Sequence, residues 1–222
     1  YSPTGEKKGG AFDASYGPGT HVGFPAAVEW PNGKFAVAYE SKLNSNDRDV
    51  FCQLFNSNGT QDGSHIVLND YKLNQQTRPV TALLSTGDFV VVWQGPGVGD
   101  GLLHGRFVSS DGSLPGAEFT LDSLDKFPEI AALNDGRFVV VASGNFGGDG
   151  PNIVLQLHNA DGTKDGGQIL ANKYITYKQN VPRLASFADN SFVVTWTTDT
   201  QEGTGFDIYA QRFDKDGNKI YH

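Results

Sequence analysis

The amino-acid sequence predicts an all-β fold, a four-repeat β-propeller of four-stranded antiparallel blades, and three observations carry that expectation. Apolar residues fall in short β-branched and aromatic runs bounded by Asn, Asp and Gly. No helical period of apolar residues competes with them. A unit of about 50 residues recurs four times, and four short strands per unit is the pattern of propeller blades packed face to face around an axis.

Each repeat runs from a proline through an apolar run and a polar turn to an aromatic-led run. They are Phe24-Pro25-Ala26-Ala27-Val28 to Lys34-Phe35-Ala36-Val37-Ala38-Tyr39, Pro79-Val80-Thr81-Ala82-Leu83 to Asp88-Phe89-Val90-Val91-Val92-Trp93, Pro128-Glu129-Ile130-Ala131-Ala132-Leu133 to Arg137-Phe138-Val139-Val140-Val141, and Pro182-Arg183-Leu184-Ala185 to Ser191-Phe192-Val193-Val194-Thr195-Trp196. The prolines and the turn residues Gly33, Gly87, Gly136 and Asn190 share the same spacings of 54, 49 and 54 residues. In the first repeat the strands are expected at about 24–30, 34–41, 49–56 and 65–70. The proline is placed at the start of the first strand, where its missing N–H costs no ladder bond. Asx-Gly pairs such as Asn58-Gly59, Asp161-Gly162 and Asp216-Gly217 suit tight hairpins that need φ > 0. Val90-Val91-Val92-Trp93 and Val139-Val140-Val141 are apolar throughout, as befits strands buried on both faces between blades.

The ends fix the expected domain organisation, one propeller over 1–222 with repeats at about 21–70, 71–123, 124–173 and 174–222. Tyr1-Ser2-Pro3-Thr4-Gly5 aligns with Phe55-Asn56-Ser57-Asn58-Gly59, so residues 1–20 read as the last strand of a blade, centred on Ala11-Phe12-Asp13-Ala14-Ser15. Closure of a four-bladed ring by that strand on the C-terminal blade would leave no open edge. The other reading is a segment of a longer array, or one that pairs with a second copy.

A net charge of −8 opposes a nucleic-acid partner or an anionic membrane surface. Membrane insertion is not expected either, because no run reaches the roughly 18 apolar residues that span a bilayer. Cys52 is the single cysteine and sits in an apolar run, the setting of a buried structural thiol. Gly-x-Ser-x-Gly, His-Glu-x-x-His and Gly-x-x-x-x-Gly-Lys are all absent, and the five histidines do not cluster.

The stretch Asn190-Ser191-Phe192-Val193-Val194-Thr195-Trp196, the loop Asp199 to Asp207 and Ile208-Tyr209-Ala210-Gln211-Arg212-Phe213-Asp214-Lys215-Asp216-Gly217 resemble the propeller-like repeats of large secreted bacterial adhesins and RTX-type surface proteins. The frame extends over nearly the whole chain, with Trp196 matched by Trp93, Tyr39 and Ala142. The resemblance implies an extracellular, non-catalytic module.

Propeller geometry puts the longer second-to-third and fourth-to-first loops on one rim, and function usually sits on such loops. That rim gathers the candidate ligand-binding aromatics Tyr71, Phe127, Phe146, Tyr174, Tyr177 and Phe206, flat faces for a sugar or peptide. Asp47, Asp49, Asp149 and Asp207 are the candidate ligands for a calcium ion, the one cofactor the sequence suggests. The expected function is non-enzymatic binding or adhesion, with a glycan or an extracellular protein on the loop rim. One alternative is a self-associating structural repeat of an extracellular assembly. Another is a glycosidase-like propeller, since such enzymes use carboxylate pairs and Arg residues on one rim, although the Ser-x-Asp-x-Gly-x-Thr-Trp box of sialidase-like propellers is missing.

Overall fold

The computed structural model describes residues 4, 10–15, 21–42, 47–71, 74–96, 102–121, 124–147, 150–176, 178–199 and 205–221. These form four antiparallel four-stranded sheets, each ordered as in the chain. The first blade holds β1 (Val22–Glu29), β2 (Phe35–Ser41), β3 (Asp49–Phe55) and β4 (Gln61–Val67). The second holds β5 (Thr77–Leu83), β6 (Phe89–Gly95), β7 (Leu102–Val108) and β8 (Phe119–Leu121). The third holds β9 (Lys126–Ala132), β10 (Phe138–Gly144), β11 (Asn152–His158) and β12 (Lys164–Leu170). The fourth holds β13 (Gln179–Ser186), β14 (Phe192–Asp199), β15 (Phe206–Phe213) and β16 (Lys219–Ile220). The fold is the β-propeller arrangement the repeats predict.

The turns follow from their residues. Gly33, Gly87 and Gly136 take φ of +82°, +93° and +94°, and Asn190 takes +66°, the left-handed values that a tight hairpin demands. The fourth strand of the first blade starts earlier than the expected residue 65, because Gln61 pairs with Phe55 directly after the Asn58-Gly59 turn.

Packing between blades explains the continuous apolar strands. Ala36, Ala38, Val50, Cys52 and Leu54 of the first blade meet Phe89, Val91 and Trp93 of the second. The opposite face of the second blade, with Val90, Val92 and Leu103, meets Phe138, Val140 and Ala142. Val139, Val141 and Ile153 then meet Phe192, Val194 and Trp196 of the fourth blade. Cys52 is fully buried in the first of these layers, and burial pushes its thiol up to about 12, so it is a packing residue.

Two details differ from expectation. The repeat proline lies inside the inner strand, at a bulge: the register shifts between Gly23 and Ala26, between Thr77 and Val80, and between Asn180 and Arg183. A bulged residue has no ladder partner, so proline fits there without losing a bond. The expected strand at 11–15 is also absent, since residues 10–15 carry no strand and β16 supplies the fourth strand of the last blade. Phe12 instead packs against Phe55 and Phe35, at 5.5 and 6.3 Å between ring centroids, joining a pair already stacked at 4.8 Å on the first blade. β1 lies on β5, β5 on β9 and β9 on β13, but β13 does not pack on β1 in that way. Among the described residues the four blades therefore form an arc around the axis rather than a closed ring.

Candidate functional site

The four bulges aim one residue each at the axis. Phe24, Arg78, Phe127 and Val181 precede the repeat prolines and hold φ of +47°, +56°, +54° and +52°. A residue before proline is ordinarily driven to extended conformations, and a β-branched valine in the left-handed region is an outlier. Such backbone persists only where the surroundings impose it, and it gathers at functional sites. Here buried Glu40 imposes it on the second blade. Its carboxylate accepts the Arg78 N–H at 3.2 Å and the Thr77 hydroxyl, and the Arg48 guanidinium pairs with it at 3.0 Å.

These residues surround an axial pocket of about 280 Å³. The Arg78 guanidinium lies over two rings, 4.3 Å from the Phe24 centroid and 4.8 Å from that of Phe127. Glu129, from the inner strand of the third blade, lines the same pocket and accepts a hydrogen bond from Arg183 of the fourth at 2.7 Å. Burial pushes the Glu129 carboxyl above the usual carboxylate range, with Arg183 opposing it.

Phe127 also lines a cleft that opens between the third and fourth blades on the long-loop rim. One part, about 610 Å³, is bordered by Asp125, Lys126, Asn145 and Lys178. The other, about 360 Å³, is bordered by Lys178, Asn180, Asp199 and Phe206. An aromatic face at the centre, amides and cations along the walls, and three carboxylates of which one holds its proton more tightly, suit a sugar ring and acid–base chemistry.

Of the residues expected from sequence, Phe127 and Phe206 meet in this cleft. Tyr174 lines a separate pocket of about 400 Å³ with Trp196, Tyr209 and Tyr221. Tyr71 and Phe146 are exposed and line neither the axial pocket nor the cleft. Tyr177 and Asp149 lie outside the described residues. The calcium set is not assembled: Asp49 accepts a hydrogen bond from Asn69 at 2.6 Å in the first blade, as Asp47 stands just before it, while Asp207 sits opposite Thr198 in the fourth. Among the described residues no three His, Cys, Asp or Glu side chains come close enough to share an ion. Asp199 was expected among the carboxylates of the long-loop rim, whereas Arg78, Asp125, Glu129 and Arg183 were not singled out from sequence. The recurring residue before each repeat proline was the available signal for the axial ring.

No family model and no curated protein matches the sequence. Solved structures do. The chain is similar to the α-L-arabinofuranosidase of Fusarium graminearum, solved with an iminosugar inhibitor, at 13% identity and a TM-score of 0.60, over 90% of this chain and 66% of that one. A Dyadobacter fermentans protein of unknown function gives 11% identity and a TM-score of 0.64, over 90% and 68%. An endo-arabinase of Bacteroides thetaiotaomicron gives 10% and 0.54, over 90% and 78%. The chain thus spans about two thirds of the length of the first of these, and identities this low speak for the fold.

They nevertheless correct the expectation of a non-enzymatic binding or adhesion module. That expectation rested on an all-β repeat without catalytic motifs, and the same fold belongs to glycosidases in the Fusarium and Bacteroides neighbours. The missing motifs therefore carry no weight against catalysis.

Proposed function

We propose that this chain is a glycosidase-type propeller that cleaves arabinofuranosyl linkages in the cleft around Phe127. Glu129 carries the reading: a half-buried carboxyl with a raised proton affinity, set at the axis beside an aromatic face. In this reading Phe127 supports the sugar ring, and Glu129 donates its proton to the departing glycosidic oxygen as the bond to the anomeric carbon breaks. Asp125 or Asp199, on the cleft walls, takes the proton of the attacking water or bonds the anomeric carbon first. The separation of that carboxylate from Glu129 in the loaded enzyme decides between inversion and retention of configuration. Arg183 positions Glu129. The likeness to arabinan-acting and arabinofuranoside-acting propellers supports the sugar class.

The test is hydrolysis. Release of arabinose or shorter oligosaccharides from arabinan and from aryl α-L-arabinofuranosides is expected, with aryl glucosides and galactosides left intact. No release from any arabinofuranosyl substrate by the folded protein overturns the proposal.

A further inference from the structure

Arg78 is more organised than packing requires. Its backbone is fixed in the left-handed region by the bulge, its amide is tied to Glu40, and its guanidinium carbon lies over both the Phe24 and the Phe127 ring. A guanidinium carries five N–H donors in a rigid fork, directed outward in its own plane. Among the described residues no acceptor meets them, and no carboxylate stands within ion-pair distance, although the chain as a whole carries a charge of −8. Glu40, which bonds the Arg78 amide, and Glu129, which lines the same pocket, are engaged by Arg48 and Arg183 instead. Both rings lie against the guanidinium, and Arg78 lines the axial pocket, where N–H donors not spent on a protein acceptor are available to a ligand.

The surroundings have the same sign. Four cations, Arg78, Lys126, Lys178 and Arg183, border the axial pocket and the adjoining cleft, against three carboxylates, Asp125, Glu129 and Asp199. In an acidic protein this is a local positive excess, in a concave region that Phe24, Phe127 and Phe206 also line.

We infer that the axial pocket binds the carboxylate of an acidic sugar, a uronate residue, bidentately on the edge of Arg78. The inference deepens the proposed function and rests on it for the ligand being a sugar; the charge preference rests on Arg78, in a surrounding of the same sign. The two cation–π contacts hold the guanidinium in place before ligand arrives, which removes part of the ordering cost of a two-bonded contact. The volume of about 280 Å³ admits one sugar ring, so the uronate occupies the axis and a neighbouring residue of the glycan lies over Phe127 in the cleft. The substrate class is then an acidic, arabinofuranosyl-bearing polysaccharide rather than a neutral one.

Titration calorimetry or ligand-observed NMR tests this with galacturonate and glucuronate oligosaccharides, the matching neutral galactose and glucose oligosaccharides, acetate and inorganic phosphate. The acidic sugars are expected to bind at least about tenfold more tightly than their neutral partners, in a salt-sensitive manner. Arg78→Met, which keeps an apolar stem against the rings, abolishes the preference, and Arg78→Lys retains a weakened one, because an ammonium offers a point charge without the planar fork. Equal affinity for acidic and neutral sugars in the wild-type protein overturns the inference. So does a preference that survives in Arg78→Met, or acetate and phosphate binding as tightly as the uronates. If Arg78→Met fails to fold, the wild-type comparison and Arg78→Lys still decide. The two proposals fail separately: missing turnover of arabinofuranosides removes the activity, and missing charge preference removes the uronate.

Discussion

His158 makes acid stability a measurable consequence of the blade packing. It ends β11 and lies stacked on Phe138, 5.0 Å between centroids at an interplanar angle of 9°. The same repeat position holds Phe55 stacked on Phe35 at 4.8 Å, and Phe213 stacked on Phe192 at 5.2 Å. An imidazole thus occupies a phenyl site and is only 2% exposed. Burial lowers its pKa from 6.5 to about 4. A histidine depressed in the folded state gives its full stability above pH 6.5 and loses it as the pH falls toward 4, because the unfolded chain takes up the proton first. At about 1.4 kcal/mol per unit the whole shift is worth roughly 3 kcal/mol, and about 2 kcal/mol of it is gone by pH 5. For a chain of this size that is a drop of about 4–8 °C in the unfolding midpoint. His158→Phe restores the repeat's own ring pair and removes the titrating group. In thermal unfolding followed by circular dichroism from pH 7.5 to 4.5, the variant's advantage over wild type is expected to widen by about that amount as the pH falls. Parallel curves, with a gap that does not change with pH, would refute the reasoning.

The remaining predictions concern the second blade. His104 pairs with Glu118 at 2.6 Å; burial alone would lower the histidine, but the Glu118 bond and charge and the Pro96 carbonyl outweigh it and raise it. Burial likewise opposes ionisation of Glu118, and the bonds from His104 and the Asp70 N–H overcome it and hold the carboxyl low. The pair therefore contributes most between pH about 4.5 and 6.5, fading as pH rises through the raised histidine value and as it falls through the lowered glutamate value. Glu118→Gln should accordingly lower the unfolding midpoint more at pH 5.5 than at pH 8.5, and an equal loss at both would count against the pairing. A Cβ at Gly105 would run into the Phe119 ring, so Gly105→Ala should cost about 1–3 kcal/mol in urea unfolding, with Phe119→Leu in the same chain recovering part of it. Full additivity of the two changes would mean that the ring is not what the methyl group meets.

Much of the fold was legible because the repeat is written in turn chemistry. Gly33, Gly87, Gly136 and Asn190 are required by left-handed backbone, and their equal spacing alone sets the blade frame. The continuous valines of β6 and β10 announced two-sided burial, which the cores between blades bear out. The bulge at the repeat proline was harder to read, since a proline at a strand start and one inside a bulge satisfy the same lost N–H. Phe12 matches the outer-strand pattern of the repeat, yet its position is decided by the Phe35–Phe55 stack, a contact between distant residues that no local pattern encodes.

The site was legible only in outline. The aromatic content of the long-loop rim pointed to Phe127 and Phe206, which do share the cleft, but Tyr174 serves a different pocket because it lies on the outer side of the third blade, next to Trp196 and Tyr209. Glu129 and Arg183 stand in alternating strand positions and look from sequence like ordinary solvent-facing charges. They become a site only because two inner strands converge at the axis and bring them to 2.7 Å. Glu40 was equally hidden, a carboxylate whose role is to hold the bulge that presents Arg78.

The most direct test of the account is the kcat/KM of wild type and Glu129→Gln on an aryl α-L-arabinofuranoside with a poor leaving group, at the wild-type pH optimum and with both proteins shown to be folded. If Glu129 supplies the proton, the variant loses about a hundredfold or more, with a smaller loss on a good leaving group that needs no protonation. A variant as active as wild type on both substrates would contradict the assignment of Glu129, at the axial pocket, as the proton donor.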